Sequence, residues 1–136
     1  MDVVDDESRV LELGSGMGLA AWLVGSRARR VHGVDISRAA VDFAQDHYRK
    51  KRVTFSEYDY LSNGPKDLLA QWPRPNKPPT VLAANPPYVP CESRATCAAL
   101  PDGAWSSMYG GPFSRRAVMT ARQVSQSSAI LRMRVL

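Results

Sequence analysis

Cysteine and histidine are scarce in these 136 residues, with two of each, and phenylalanine occurs three times. Cys91 and Cys97 have five residues between them. That is not zinc-ligand spacing, and His32 and His47 lie far away along the chain. Reduced thiols of a cytoplasmic protein are the default reading, and both histidines read as ordinary surface or packing residues. No apolar run approaches membrane-spanning length. The amino terminus carries Asp2, Asp5, Asp6 and Glu7 instead of a signal-peptide pattern, so no membrane partner is expected. No internal repeat or low-complexity tract is present.

What the chain does have is enough apolar material for one core, including three tryptophans. Arg9-Val10-Leu11-Glu12-Leu13 reads as a short strand, followed at once by Gly14-Ser15-Gly16-Met17-Gly18. An apolar stretch from Leu19 to Val24 then has helical spacing. Strand, glycine turn and helix form a unit in which glycine lets the backbone turn tightly and pass close to a ligand. Leu19 stands where the dinucleotide fingerprint needs its last glycine, and no Lys-Ser/Thr pair follows, which excludes a phosphate-cradling P-loop. The bland alternative is an ordinary strand-to-helix connection.

A second strand, Arg30-Val31-His32-Gly33-Val34, ends in Asp35, about twenty residues beyond the first glycine, the interval at which a second-strand acid meets a ribose. Asp35 could also cap the helix that begins next, but Ser37 is the better-placed cap and leaves Asp35 to a ligand. A third strand, Val53-Thr54-Phe55-Ser56-Glu57-Tyr58, leads into Asp59-Tyr60-Leu61. Asp59 reads equally well as a surface residue opening a turn. A fourth apolar run, Thr80-Val81-Leu82-Ala83-Ala84, delivers Asn85-Pro86-Pro87-Tyr88. An Asn side-chain oxygen and a backbone carbonyl suit the two N–H bonds of a planar NH2 group, prolines stiffen the chain that carries them, and Tyr88 offers a flat face. Pro-Pro also serves simply to end a strand.

Taken in order, Leu11-Glu12-Leu13-Gly14-Ser15-Gly16-Met17-Gly18, Gly33-Val34-Asp35-Ile36-Ser37 and Asn85-Pro86-Pro87-Tyr88-Val89-Pro90 resemble the motifs of class I S-adenosylmethionine (SAM) methyltransferases. Within that class they are similar to the HemK/PrmC-type N5-glutamine methyltransferases. Ala104-Trp105, Tyr109-Gly110-Gly111 and the segment from Arg116 to Met119 resemble the loop and helix that follow the motif in such enzymes. The resemblance implies an α/β, Rossmann-like core with a mostly parallel sheet and helices on both faces. It implies SAM as cofactor, with Gly14, Ser15, Gly16 and Gly18 beside the methionine moiety, and Glu12 orienting the loop or the amino group. Asp35 with Ile36 would serve the ribose, and Asp59 and Tyr60 the adenine. Asn85, Pro86, Pro87 and Tyr88 would hold the acceptor nitrogen, with Asn85 also lying against the cofactor.

The acceptor that the resemblance implies first is a glutamine amide of a protein such as a translation release factor. An adenine-N6 acceptor in nucleic acid is the alternative, and a SAM-binding remnant without activity is the third. The class I sheet has seven strands. Here residues 1–8 form an amino-terminal extension, residues 114–127 read as a helix, and residues 129–136 offer one further strand. The expectation is a single, incomplete domain over residues 1–136 that lacks the last strands.

Net charge is +5. The run Arg49-Lys50-Lys51-Arg52 reads as a solvated helix end, where cations complement the dipole. Arg27, Arg29 and Arg30 form a second basic cluster on the side away from the active face. Both keep a nucleic-acid contact open. Trp72-Pro73-Arg74-Pro75-Asn76-Lys77-Pro78-Pro79 reads as a proline-rich separator between a helix around residues 66–71 and the fourth strand. A docking-peptide role is its less favoured alternative.

Overall fold

The computed structural model describes residues 4–48, 51–59, 63, 65–84 and 132–135. Among the described residues the elements are, in order, β1 (Arg9–Leu13), α1 (Leu19–Val24), β2 (Arg30–Asp35), α2 (Arg38–His47), β3 (Val53–Glu57), α3 (Pro65–Ala70), β4 (Val81–Ala84) and β5 (Arg132–Val135). All pairings are parallel, and the order across the sheet is β3-β2-β1-β4-β5. The chain steps outward from β1 to β3, then returns to the other side of β1 with β4. The order therefore reverses at the carboxyl ends of β1 and β4, where open parallel sheets bind ligands.

Alternation along each strand sends side chains to two apolar layers. Leu11, Leu13, Val34, Leu82 and Ala84 meet Leu68 of α3 and Trp72 on one face. Val10, Val31, Val53, Phe55 and Val81 meet Ala21 of α1 and Val41 and Ala44 of α2 on the other. Helices thus cover both faces, as the strand–helix alternation predicts. Burial on both sides explains why the strands read as near-continuous apolar runs.

The glycine turn depends on its backbone conformation. Gly14, Gly16 and Gly18 have φ of 70°, 52° and 86°, a left-handed region open to glycine and strained for other residues. Gly14 and Ser15 donate their amides to the Val34 carbonyl at 2.9 and 3.1 Å, which lays the turn across the end of β2. Gly18 caps α1 from the left-handed conformation, without a side-chain cap.

Several expected boundaries move. β3 ends at Glu57, one residue early, although the Tyr58 amide still donates to the Asp35 carbonyl at 2.8 Å. α2 stops at His47 with Tyr48 as its C-cap. Lys51 and Arg52 therefore lie in the turn that leads into β3, not on a helix end. The fifth strand is described over Arg132–Val135, inside the expected 129–136, whose other residues lie outside the described ones. The expected helix at residues 114–127 lies outside the described residues, as do Cys91 and Cys97.

A Cβ on Gly18 would sit 2.7 Å from Phe55 Cζ and 2.8 Å from Ala44 Cβ, in addition to the positive φ. A Cβ on Gly16 would meet nothing within 4 Å. We therefore expect Gly18→Ala to destabilise the fold by about 2–4 kcal/mol, and Gly16→Ala by about 1 kcal/mol. Urea unfolding midpoints of the two variants check this; equal losses would contradict the packing account.

Candidate functional site

The carboxyl ends of β1 and β2 bring the glycine turn and Asp35 together. The Gly16 amide donates to Asp35 Oδ2 at 2.7 Å, and the Ser37 amide donates to Asp35 Oδ1 at 2.9 Å. One carboxylate, 7% exposed, thus ties the turn after β1 to the start of α2. Ser37 is the N-cap of α2, and its hydroxyl accepts from the Ala40 amide at 3.3 Å. The sequence assigns Asp35 to a ligand and the cap to Ser37. The structure agrees on Ser37 but engages both oxygens of Asp35 with backbone amides. Each oxygen keeps a second lone pair, so the carboxylate can still accept from a hydroxyl.

Glu12 stands on the same face of the sheet, in register with Gly33 of β2 and Ala83 of β4. Its Oε2 is buried without a hydrogen-bond partner. Burial, reinforced by the Asp35 charge, pushes its carboxyl up to about 7. Ser15 Oγ, in the turn just above, is also buried without a partner. Such orphaned polar atoms are rare in native structures and point to an absent partner. Gly33 lets the turn settle here, since a Cβ on it would lie 2.7 Å from Ser15 Cβ.

Asp59 follows Tyr58 beyond β3, half-buried, and its carbonyl accepts from the Asn63 amide and side chain at 3.2 and 2.8 Å. Ile36 is half-buried between Asp35 and Ser37. Tyr60 lies outside the described residues, and so do Asn85, Pro86, Pro87 and Tyr88. Ala84, to which Asn85 is joined, ends β4 directly beside Leu13 of β1. The structure therefore groups Glu12, Gly14, Ser15, Gly16, Gly18 and Asp35, with Asp59 at the end of an outer strand.

His32 is a buried packing residue with a network of its own. Its Nδ1 pairs with Thr54 Oγ1 at 2.8 Å and its Nε2 with Ser56 Oγ at 3.0 Å, and its ring meets Trp72 edge-on. Burial, with a smaller effect from Arg30, lowers its pKa to about 4. The hydroxyl on each side of it, two residues apart on β3, was a sequence signal for this pairing.

SAM is the cofactor that the fold implies, and the cluster fits it in chemical type. Two unpartnered polar side chains, the Glu12 carboxyl and the Ser15 hydroxyl, suit a cationic amino acid headgroup. Gly16 leaves open space where a backbone must pass a ligand. Among the described residues, no group of three or more His, Cys, Asp or Glu is placed to hold a metal, and no helix is long and apolar enough to cross a membrane.

Comparison with known proteins agrees with this geometry. Residues 10–68 match the methyltransferase-domain family. The chain is 26% identical over 84 residues to an uncharacterized RNA methyltransferase of Streptococcus agalactiae, a match covering 62% of this chain and 18% of that protein. A second uncharacterized RNA methyltransferase, from Halalkalibacterium halodurans, is 22% identical over 88 residues, covering 65% and 19%. Among solved structures, a SAM-dependent methyltransferase from Anabaena variabilis superposes with a TM-score of 0.54 at 16% identity, covering 95% of this chain and 41% of that one. The YcgJ protein of Bacillus subtilis does so with 0.53 at 19% identity, covering 90% and 41%. The chain thus spans less than a fifth of those two RNA methyltransferases and about two-fifths of those solved chains.

Glu12 and His32 give stability opposite pH dependences. His32 binds its proton at about 4 when folded and near 6.5 when unfolded, so its contribution grows as pH rises across that window. Glu12 holds its proton up to about 7 when folded and to 4.5 when unfolded, so its contribution is lost as pH rises from 4.5 to 7. The two nearly cancel between pH 4.5 and 6.5. In urea titrations over that range, Glu12→Gln should make stability rise with pH by roughly 1 kcal/mol per unit, and His32→Asn should make it fall by a similar amount. Slopes matching the unsubstituted chain in both variants would contradict these assignments. The chain thus has the Rossmann-like fold of those solved structures, residues 10–68 carry the methyltransferase-domain match, and SAM is the cofactor that the site fits.

Proposed function

We propose that this chain is the cofactor-binding core of a SAM-dependent N-methyltransferase acting on a planar NH2 nitrogen. The observation that carries the cofactor half of this reading is the pair of buried, unpartnered atoms, Glu12 Oε2 and Ser15 Oγ, beside the Asp35-clamped glycine turn. When bound, SAM supplies a methyl group on a positively charged sulfur. Glu12, ionised on pairing with the ammonium, anchors the amino acid end. The positive-φ glycines let the turn lie along it. Asp35 adds a ribose hydroxyl to its spare lone pairs, and Asp59 accepts from the adenine amino group.

The acceptor half rests on Asn85-Pro86-Pro87-Tyr88, joined to the end of β4 next to β1. The Asn85 side-chain oxygen and the Pro86 carbonyl accept the two N–H bonds of the acceptor, with Tyr88 flat beside it. That pairing would turn the acceptor lone pair toward the methyl group that SAM would supply, and one N–H proton of the acceptor would pass to water. Positioning and aligned dipoles supply most of the acceleration. A glutamine amide, as in a release factor, is the acceptor that the motif's resemblance favours. An adenine amino group in RNA is the second reading, favoured by the RNA methyltransferase names of the relatives.

Two measurements test the proposal. Pairing with a cation lowers the pKa of Glu12, so SAM binding at pH 6 should release part of a proton, and affinity should rise up to about tenfold per pH unit toward pH 7. Calorimetry in two buffers of different ionisation heat reads this release; Glu12→Gln should abolish it, and an unchanged release would count against the role. Asn85→Ala should keep SAM affinity within about twofold and lose methyl transfer by about a hundredfold or more. The assay compares a Gly-Gly-Gln peptide with an adenine-containing RNA, and transfer to neither by the unsubstituted chain would remove the acceptor reading.

A further inference from the structure

The amino ends of the strands, on the edge opposite the glycine turn, carry a row of cations. Arg9 opens β1 and Arg30 opens β2, directly paired in register. Arg52 immediately precedes β3, and its carbonyl accepts from the Val31 amide at 2.7 Å. Arg74 and Lys77 lie in the proline-rich loop that leads into β4. These residues line one open groove of about 490 Å³, together with Arg29, Lys51, Asp6 and Trp72. Seven cationic side chains thus face one carboxylate. Strands lie about 4.8 Å apart, so the row from β3 to β4 extends about 14 Å.

The groove is held open by the backbone. The Arg29 and Arg30 amides both donate to the Ser8 carbonyl, at 2.9 and 3.3 Å. Arg9 Nε donates to the Pro78 carbonyl at 2.6 Å, and its amide donates to Thr80 Oγ1 at 3.0 Å. The Trp72 indole donates to the Lys77 carbonyl at 2.8 Å, which closes the proline-rich loop on itself. Among the described residues, the ion pair seen in the groove is the exposed one of Arg29 to Glu7 at 3.1 Å. Like charges are therefore gathered rather than neutralised: burial and the neighbouring Arg74 both lower the pKa of Arg30.

We propose that this edge of the sheet is a binding groove for the phosphodiester backbone of a nucleic acid. A linear row of cations over about 14 Å matches a chain of phosphates better than a single anion. Five of the seven side chains are arginine, whose planar fork pairs with phosphate oxygens in a bidentate manner. Backbone contacts of this kind grip without reading sequence. The groove lies a strand's length from the cofactor end, and its occupancy does not depend on which nitrogen receives the methyl group.

Fluorescence anisotropy with the full chain tests this, using labelled single-stranded RNA of about 20 nucleotides, DNA of the same sequence, and polyglutamate of similar length. RNA binding should weaken steeply with salt. The double substitution Arg74→Ser with Lys77→Ser, both exposed loop positions, should weaken RNA binding about tenfold or more. It should also flatten the log–log salt slope by about 1.4, two contacts at roughly 0.7 each. Its circular dichroism and urea midpoint should match the unsubstituted chain. Equal binding of RNA and DNA supports a backbone grip, and preference for RNA supports one that also touches 2′-hydroxyls. Unchanged RNA binding in the folded double variant, or polyglutamate bound as tightly as RNA, would overturn the proposal.

Discussion

One buried carboxylate organises the functional half of this molecule. Asp35 ends β2, and its two oxygens hold the Gly16 and Ser37 amides, one on each side of the strand. Without that clamp, the turn after β1 would have no charged anchor, and the Gly16 amide would lose its partner. The clamp also fixes where α2 begins, because the Ser37 amide it holds belongs to the residue that caps the helix. The rest of the sheet supports this point: parallel pairing aligns the ends of β1, β2 and β4, and the two apolar layers hold them in place.

The same carboxylate makes its neighbour unusual. Glu12 shares its face, and burial together with the Asp35 charge keeps the Glu12 proton on to about pH 7. A buried carboxyl oxygen without a partner, beside a second carboxylate, is a poor choice for stability alone. Local rules are broken most often where a site awaits a ligand. In the proposed function, a cationic headgroup that pairs with Glu12 would resolve the conflict and link cofactor occupancy to the glycine turn. The opposite edge shows the complementary arrangement, seven cations gathered around the single carboxylate of Asp6 in the groove lining. The sheet thereby presents two ends of contrasting charge.

How legible each feature was in the sequence depends on how local its physics is. The glycine turn, the Ser37 cap and the four strands through Ala84 follow from spacing, capping preference and apolar runs, and they stand within a residue of where the sequence places them. Asp35 was legible as a site residue, but not its engagement by Gly16, because that bond joins residues 19 positions apart. The basic runs were visible only as two separate clusters. Parallel topology merges them, since every crossover returns the chain to the same edge before the next strand starts. His32 looked ordinary because nothing adjacent to it is polar; its partners Thr54 and Ser56 come from the neighbouring strand. Helix ends were the least legible, and α2 stopping at His47 turned an expected helix end into part of the basic groove.

We infer that the turn after β1 and the end of β2 together hold SAM. Amide chemical shifts of the full chain, recorded as SAM is added, test it most directly. The claim predicts saturable shifts concentrated at residues 14–18 and 35–37, with Glu12 among them. It also predicts that Arg9, Arg30 and the loop around Arg74 stay quiet. A folded chain whose turn amides do not move, or whose main shifts fall on the basic edge, would contradict it.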